Sequence, residues 1–192
     1  MPPPTSDRRS EILEHSKALL RTRGFNAFSH RDLATLVGVK SSSVHYYFPS
    51  KEDIGLALMA AYRQEILSLL ASLEHRPVPE RLEQFASVFA SAASSGDQWC
   101  VAGMLASDYA TLGEDLQAEL RRFFDAVEAW LATQAQLIRP GLSAPAALQL
   151  GKASMALLEG SLLLARCQQE PQRVSHAAKA LKALMGVGPF SG

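Results

Sequence analysis

The chain has 192 residues, 47% of them hydrophobic and 20% charged, with nineteen basic and nineteen acidic side chains that cancel to zero net charge. Nothing in that composition suggests disorder; it leaves room for one large or two small domains with a sizeable core, and it excludes a uniformly basic protein. The charge is nonetheless unevenly spread: residues 1–51 hold eight Lys/Arg against four Asp/Glu, a net +4, and residues 52–192 hold eleven against fifteen, a net −4. Binding to a polyanion needs such local positive charge rather than a basic whole.

Apolar positions recur at intervals of three and four and no segment alternates over a strand's length, so every readable element is a helix. The spacing predicts a first helix from about Asp7 to Arg23, with Ile12, Leu13, Leu19 and Leu20 as its stripe and Gly24 as its stop. "SHRD" reads as a capping box that starts a second helix at Ser29, and Gly38 ends it. A short third helix covers about Ser41 to Tyr47, after which Pro49 and Ser50 break the chain and Ser50 with Asp53 repeats the capping pattern. Leu33, Ala34, Val39 and Val44 are spaced to pack inward, and Tyr46 and Phe48 read as core. The fourth helix is long, with Ile54, Leu58, Tyr62, Ile66, Leu69, Leu70 and Leu73 on one face, and "HRPVPE" ends it. A fifth runs from about Pro79 to Ser95 and carries Leu82, Phe85 and Phe89. "SSGDQ" is a loop, followed by a sixth helix from about Trp99 to Leu112. The seventh, Glu114 to Ile138, turns Leu116, Leu120, Phe123, Phe124, Val127, Trp130 and Leu131 inward. "RPGLSAP" precedes an eighth, about Ala146 to Cys167, which is apolar around most of its circumference and must be covered on more than one side. A ninth, Gln172 to Met185, has Val174, Ala178, Leu181 and Leu184 in one stripe.

No apolar run is expected to span a bilayer, because the most apolar one, Leu148 to Ala165, is interrupted by Lys152 and Glu159. "MPPPTSDRRSE" lacks the apolar core of a signal peptide, so a cytoplasmic chain is expected, with Cys100 and Cys167 as reduced thiols lacking metal-ligand spacing. The sequence holds no Gly-rich phosphate loop, no paired histidines at metal spacing and no nucleophile elbow. Nothing in it suggests an enzyme, and no cofactor is implied.

Two short helices joined by "LVGVKS" after a longer one form a helix-turn-helix pattern. In that geometry the third helix is the one whose N-terminal residues lie at base edges in the major groove. Ser41, Ser42 and Ser43 then make sense, because short hydroxyls let a helix approach the groove wall and bond phosphates or bases. His45 and Tyr47 can reach backbone oxygens, and Lys51 can neutralise a phosphate.

"FSHRDLATLVGVKSSSVHYYFPSKEDI" resembles the DNA-binding motif of the tetracycline-repressor (TetR) family of bacterial transcriptional regulators, over about residues 8–55. The resemblance implies an all-α chain of about nine helices, with a three-helix DNA-binding domain at 1–50 and a ligand-binding and dimerisation domain at 51–192. It implies DNA contacts from His30 and Arg31 on the second helix, from Lys40, Ser41, Ser42, Ser43, His45 and Tyr47 on the turn and reading helix, and from Lys51 beyond. Arg31 is the candidate for a bidentate guanine contact. Many relatives have a basic or amide residue where Ser41 stands and a tyrosine where His45 stands, departures that bear on the operator sequence.

The same resemblance implies a homodimer through the helices at about 146–167 and 172–185. The surplus apolar face of the first and the small residues Ala177, Ala178, Ala180 and Ala183 of the second suit a four-helix interface. It further implies a small-molecule effector that releases a palindromic operator on binding among the middle helices. There Phe85, Phe89, Trp99, Met104, Tyr109, Phe123, Trp130, Met155 and Glu159 are the candidate lining, suited to an apolar, cationic or hydrogen-bonding ligand. Glu159 in an apolar helix is costly unless it lies at the dimer rim, pairs with an arginine or faces a polar cavity, and Asp108 raises the same question. Cys100 supports an alternative, a redox- or electrophile-sensing regulator of the same fold, since a helix start lowers a thiol's pKa; the competing account is a small core residue.

Overall fold

The computed structural model describes residues 5–95 and 99–188; the proline-rich start and residues 96–98 of the "SSGDQ" loop lie outside the described residues. Among the described residues every regular element is helical: α1 (Thr5–Arg23), α2 (His30–Val37), α3 (Ser41–Tyr47), α4 (Lys51–Ser72), α5 (Val78–Ser94), α6 (Val101–Ser107), α7 (Glu114–Ile138), α8 (Ala144–Gln168) and α9 (Gln172–Met185), with 3-10 turns at Phe25–Ala27 and Tyr109–Thr111. The bounds of α3, α7 and α9 are those the spacing predicts. Three other expectations need correction.

The sixth helix is shorter than expected: it stops at Ser107, Asp108 is its cap, and a separate 3-10 turn follows. Asp108 carries no breaker of its own, so periodicity alone runs through it. In α9 the buried stripe is Val174, Ala177, Leu181 and Met185, while Leu184 stands 38% exposed. The alanine-rich middle of that helix gives little apolar contrast by which to fix its rotation. Finally, α4 does have the length and hydropathy to cross a bilayer, at 22 residues, although Ile54, Leu58, Met59, Ile66, Leu70 and Leu73 are buried within the protein.

The described residues fall into two compact units. The first holds residues up to 64 together with 99–121; the second holds 65–95 and 122–188, so α4 and α7 each contribute to both. In the first unit the core includes Ile12, Leu20, Phe25, Leu33, Val44, Phe48, Ile54, Leu105 and Leu116. Residues 99–121 are tied to α1 and the turn after it by polar bonds. Arg21 Nε donates to the Trp99 carbonyl at 2.6 Å, Asp108 accepts the Phe25 N–H at 2.8 Å, and Asn26 Nδ2 donates to Thr111 Oγ1 at 2.8 Å. Arg63 of α4 pairs with the buried Glu119 of α7 at 2.6 Å.

In the second unit α5, α8 and α9 pack on one another. Leu82, Phe85, Phe123, Val127, Leu158, Leu162, Val174 and Leu181 supply the buried surface. Gly151 lets α8 cross close to α7, because a Cβ there would run into the Glu128 carbonyl oxygen and lie 3.1 Å from the Ala132 nitrogen. Arg81 closes the α4–α5 connection by donating to the Glu74 and Arg76 carbonyls at 2.7 Å and to Gln134 Oε1 at 3.1 Å.

Candidate nucleic-acid interface

The ends of α2 and α3 are fixed by local chemistry. Ser29 and Asp32 form a reciprocal capping box: Asp32 Oδ2 accepts the Ser29 N–H at 2.7 Å, and Ser29 Oγ accepts the Asp32 N–H at 3.4 Å. Those bonds to Ser29 hold the Asp32 carboxyl below its ordinary value, helped by Arg23 and Arg31. Gly38 ends α2 at φ 69°, ψ 37°, the left-handed conformation that a Cβ disfavours. The turn is closed by the Val39 N–H on the Ala34 carbonyl at 2.9 Å. Ser50 and Asp53 build a second box at the start of α4, with Asp53 Oδ2 accepting the Ser50 N–H at 2.7 Å.

Within this frame α3 buries Val44 completely and Phe48 follows it into the core, so the opposite side of the helix faces out. Arg31, Lys40, Ser42 and His45 are exposed; His30, Ser41, Ser43, Tyr47 and Lys51 are half-buried. Tyr46, expected in the core, is 78% exposed. It lies two residues from both Val44 and Phe48, about 200° around a helix from each, and that arithmetic places it outward where its aromatic character does not. Tyr46 is the residue of this surface that sequence reasoning missed. Its ring meets that of Tyr47 edge to face at 5.2 Å.

Two of the anticipated contacts are already engaged within the protein. His30 donates from Nε2 to the Phe48 carbonyl at 2.8 Å, and His45 approaches the Pro49 carbonyl through Nδ1 at 3.4 Å. The two imidazoles stack with centroids 4.1 Å apart and planes 3° from parallel. The Lys51 ammonium sits 4.9 Å and 4.7 Å from the centres of the Phe25 and Phe28 rings. Burial pushes its pKa below the usual range, partly offset by Asp108 and Asp32. Arg9 of α1 covers the Phe48 ring at 4.8 Å.

The candidate ligand side chains divide between the units. Phe85, Phe89, Phe123, Trp130, Met155 and Glu159 belong to the second, where the Phe85 ring lies 5.6 Å from Phe89 and 5.4 Å from Trp130. The Trp130 indole N–H is buried with no acceptor among the described residues. Trp99, Met104 and Tyr109 belong to the first: Trp99 is buried, Met104 half-buried, and Tyr109 surfaces beside Arg121, which bonds its hydroxyl. Cys100 is buried and caps α6, its Sγ accepting the Gly103 N–H at 3.4 Å and lying 3.4 Å from the Tyr62 hydroxyl.

Residues 12–58 match the sequence profile of bacterial regulatory proteins of the tetR family, and residues 78–180 match that of the C-terminal domain of LmrA/YxaF-like transcriptional regulators. An uncharacterized HTH-type transcriptional regulator of Lactococcus lactis is 23% identical over 167 residues, 84% of this chain and 85% of that one. The HTH-type transcriptional repressor NemR of Escherichia coli is 27% identical over 119 residues, 59% of this chain and 60% of its own. Among solved structures, a TetR transcriptional regulator from Legionella pneumophila superposes with a TM-score of 0.84 at 30% identity, covering 94% of this chain and 96% of that one. The reduced form of E. coli NemR shares the fold, with a TM-score of 0.75 over 93% of this chain and 97% of its own.

Proposed function

This chain belongs to the TetR family of bacterial transcriptional regulators, and from that premise we propose how it acts: as a homodimeric repressor whose two α3 helices read a palindromic operator until a small effector releases them. The family is one of DNA-binding regulators rather than enzymes. The observation that carries the reading is the two-sidedness of the head. α3 buries Val44 and presents Ser42, His45 and Tyr46 to solvent, with Arg31 and Lys40 exposed on the α2 helix and the turn. In this assignment Arg31 makes the bidentate base contact, and Ser41, Ser42 and Ser43 line the groove. Lys40, Tyr46 and Tyr47 hold the backbone, and His30 and His45 act as a pair. Lys51, drawn over two aromatic rings, contributes positive field more than a direct phosphate bond.

One head reads only a few base pairs, so symmetric heads on half-sites about one helical turn apart supply the specificity. The second unit offers the surface for pairing: Leu163 is 64% exposed, Leu164 48%, Leu148 40% and Leu184 38% on α8 and α9. Phe85, Phe89, Phe123, Trp130, Met155 and Glu159 are the lining proposed for the effector, with the buried Trp130 N–H as a donor for an acceptor on it. Effector binding needs a coupling of about 1–3 kcal/mol to favour the released arrangement. Cys100 is assigned the capping role that its bond to Gly103 supports, in preference to sensing.

Selection from a random pool of duplex DNA tests the reading. An enriched palindrome, bound more weakly by Arg31→Ala and with a shallower salt dependence by Lys40→Ala, is the outcome the proposal requires. Absence of enrichment refutes it.

A further inference from the structure

The stacked imidazoles of His30 and His45 join the first turn of α2 to the last turn of α3, 4.1 Å apart and nearly parallel. Each ring already spends one nitrogen on a carbonyl, which can only accept. His30 therefore carries its proton on Nε2 and His45 on Nδ1, leaving His30 Nδ1 and His45 Nε2 as the places where a further proton can be added. We propose that this pair is a proton-binding site of the reading head, taking up one proton as the head engages a duplex. The inference rests on the DNA-binding reading above and adds a regulation to the same surface.

The stoichiometry follows from the stack. One added proton makes an imidazolium that keeps its carbonyl bond and lies against a neutral ring. A second would place two like charges face to face at 4.1 Å, so the pair holds one proton in preference to two. The surrounding charges leave room for this. Arg9 of α1 lies over the Phe48 ring, and Arg31 follows His30 on α2. From α4 come Lys51, held over Phe25 and Phe28, and Asp53, whose carboxylate is bonded to Ser50 and interacts with His30. The approach of phosphates on both strands adds negative potential at the exposed His45 edge and favours the protonated form. The bound state then holds the proton more tightly than the free state, so affinity rises as pH falls. Imidazole is the side chain that can change charge between about pH 5 and 8, so the measurement spans a window of about pH 6–8.

The test measures the dissociation constant for the duplex enriched from the random pool, by fluorescence anisotropy at constant ionic strength across that window. Wild type is expected to tighten up to about tenfold per pH unit for each head, the slope of one linked proton. The double variant His30→Gln with His45→Gln is expected to flatten that slope to less than about twofold per unit, while His15→Gln retains it. Imidazole NMR of the free protein supplies a readout that needs no DNA: the titration curve of each histidine shifts when the other is replaced by glutamine. Helical circular dichroism of the variants separates an unfolded head from an unlinked one. A flat wild-type profile with binding intact, or a slope kept by the double variant, overturns the proton linkage alone. Failure to enrich any duplex overturns the DNA-binding reading and the linkage with it.

Discussion

Asp108 grips the turn after α1 with one carboxylate oxygen, which accepts the Phe25 N–H at 2.8 Å and the Asn26 N–H at 3.3 Å. These bonds join positions 83 and 82 residues apart, and they satisfy two backbone donors at the root of the reading head. Asp108→Ala leaves the half-buried Phe25 N–H without its acceptor, and the expected cost is about 1–3 kcal/mol. Urea unfolding of the variant reads that loss, and faster amide exchange at Phe25 and Asn26 locates it. Asp108→Asn keeps one acceptor oxygen and should fall between the variant and the wild type.

The two capping carboxylates predict an acid limb to stability. Bonds to Ser29 lower the pKa of Asp32, and bonds to Ser50 lower that of Asp53, each from a reference of 3.8. A depressed carboxyl contributes stability that is present above its unfolded pKa and lost as pH falls through the folded one. Urea midpoints should therefore be level above about pH 5 and decline below about pH 4, and Asp32→Asn with Asp53→Asn should shallow that decline while lowering the neutral plateau. A slope below pH 4 that the double variant leaves unchanged assigns the acid sensitivity to other groups.

What the sequence revealed and what it hid divide along the range of the interactions. The limits of α2 and α3 were legible because Ser29, Asp32, Gly38, Ser50 and Asp53 act within three or four residues of themselves. The grip of Asp108 was not, because nothing near it in the chain announces Phe25 as its partner. The outward turn of Tyr46 was available from helical arithmetic, but the aromatic run "HYYF" draws the eye to the core. Neither His30 nor His45 is unusual alone; their stack exists only once α2 and α3 have packed.

Gly151 and Gly113 make a matched pair of packing tests. A Cβ on Gly151 meets the backbone of α7, whereas one on Gly113 meets the Glu52 carboxylate. Backbone cannot yield without shifting a helix, so Gly151→Ala is expected to destabilise by about 1–3 kcal/mol. The Glu52 side chain can rotate away at the loss of its 3.4 Å bond to the Leu116 N–H, so Gly113→Ala should cost less. Thermal unfolding of the two variants side by side gives the order, and a larger loss at Gly113 contradicts this account.

The two thiols should differ sharply in reactivity. Cys167 is exposed near the end of α8, while Cys100 is buried and bonded to the Gly103 N–H. Ellman's reagent on the native protein should report one fast thiol per chain, abolished by Cys167→Ser, and a second only on unfolding. Cys100→Ser keeps a cap acceptor and should be tolerated, whereas Cys100→Val loses it at about 0.5–2 kcal/mol. A second fast thiol in the native state would restore Cys100 as a candidate sensor.

Leu163 and Leu164 offer the most direct test of the dimer. They are 64% and 48% exposed in the subunit, on a helix whose other side buries Leu158, Leu162 and Ala165. Large side chains left in water on a helix already packed along one face are the mark of an interaction surface when they cluster, and Leu148 and Leu184 extend the set. Leu163→Glu with Leu164→Glu places two carboxylates on the proposed face and, across a two-fold axis, four, without touching the buried side of α8. Light scattering should then give the mass of one 20.8 kDa chain where wild type gives two, with helical content and unfolding of the isolated chain preserved. Operator affinity should fall steeply in the same variant, because each head alone keeps its contacts and loses only its linked neighbour. A wild-type mass of one chain, or a variant that stays dimeric, would move the interface away from α8.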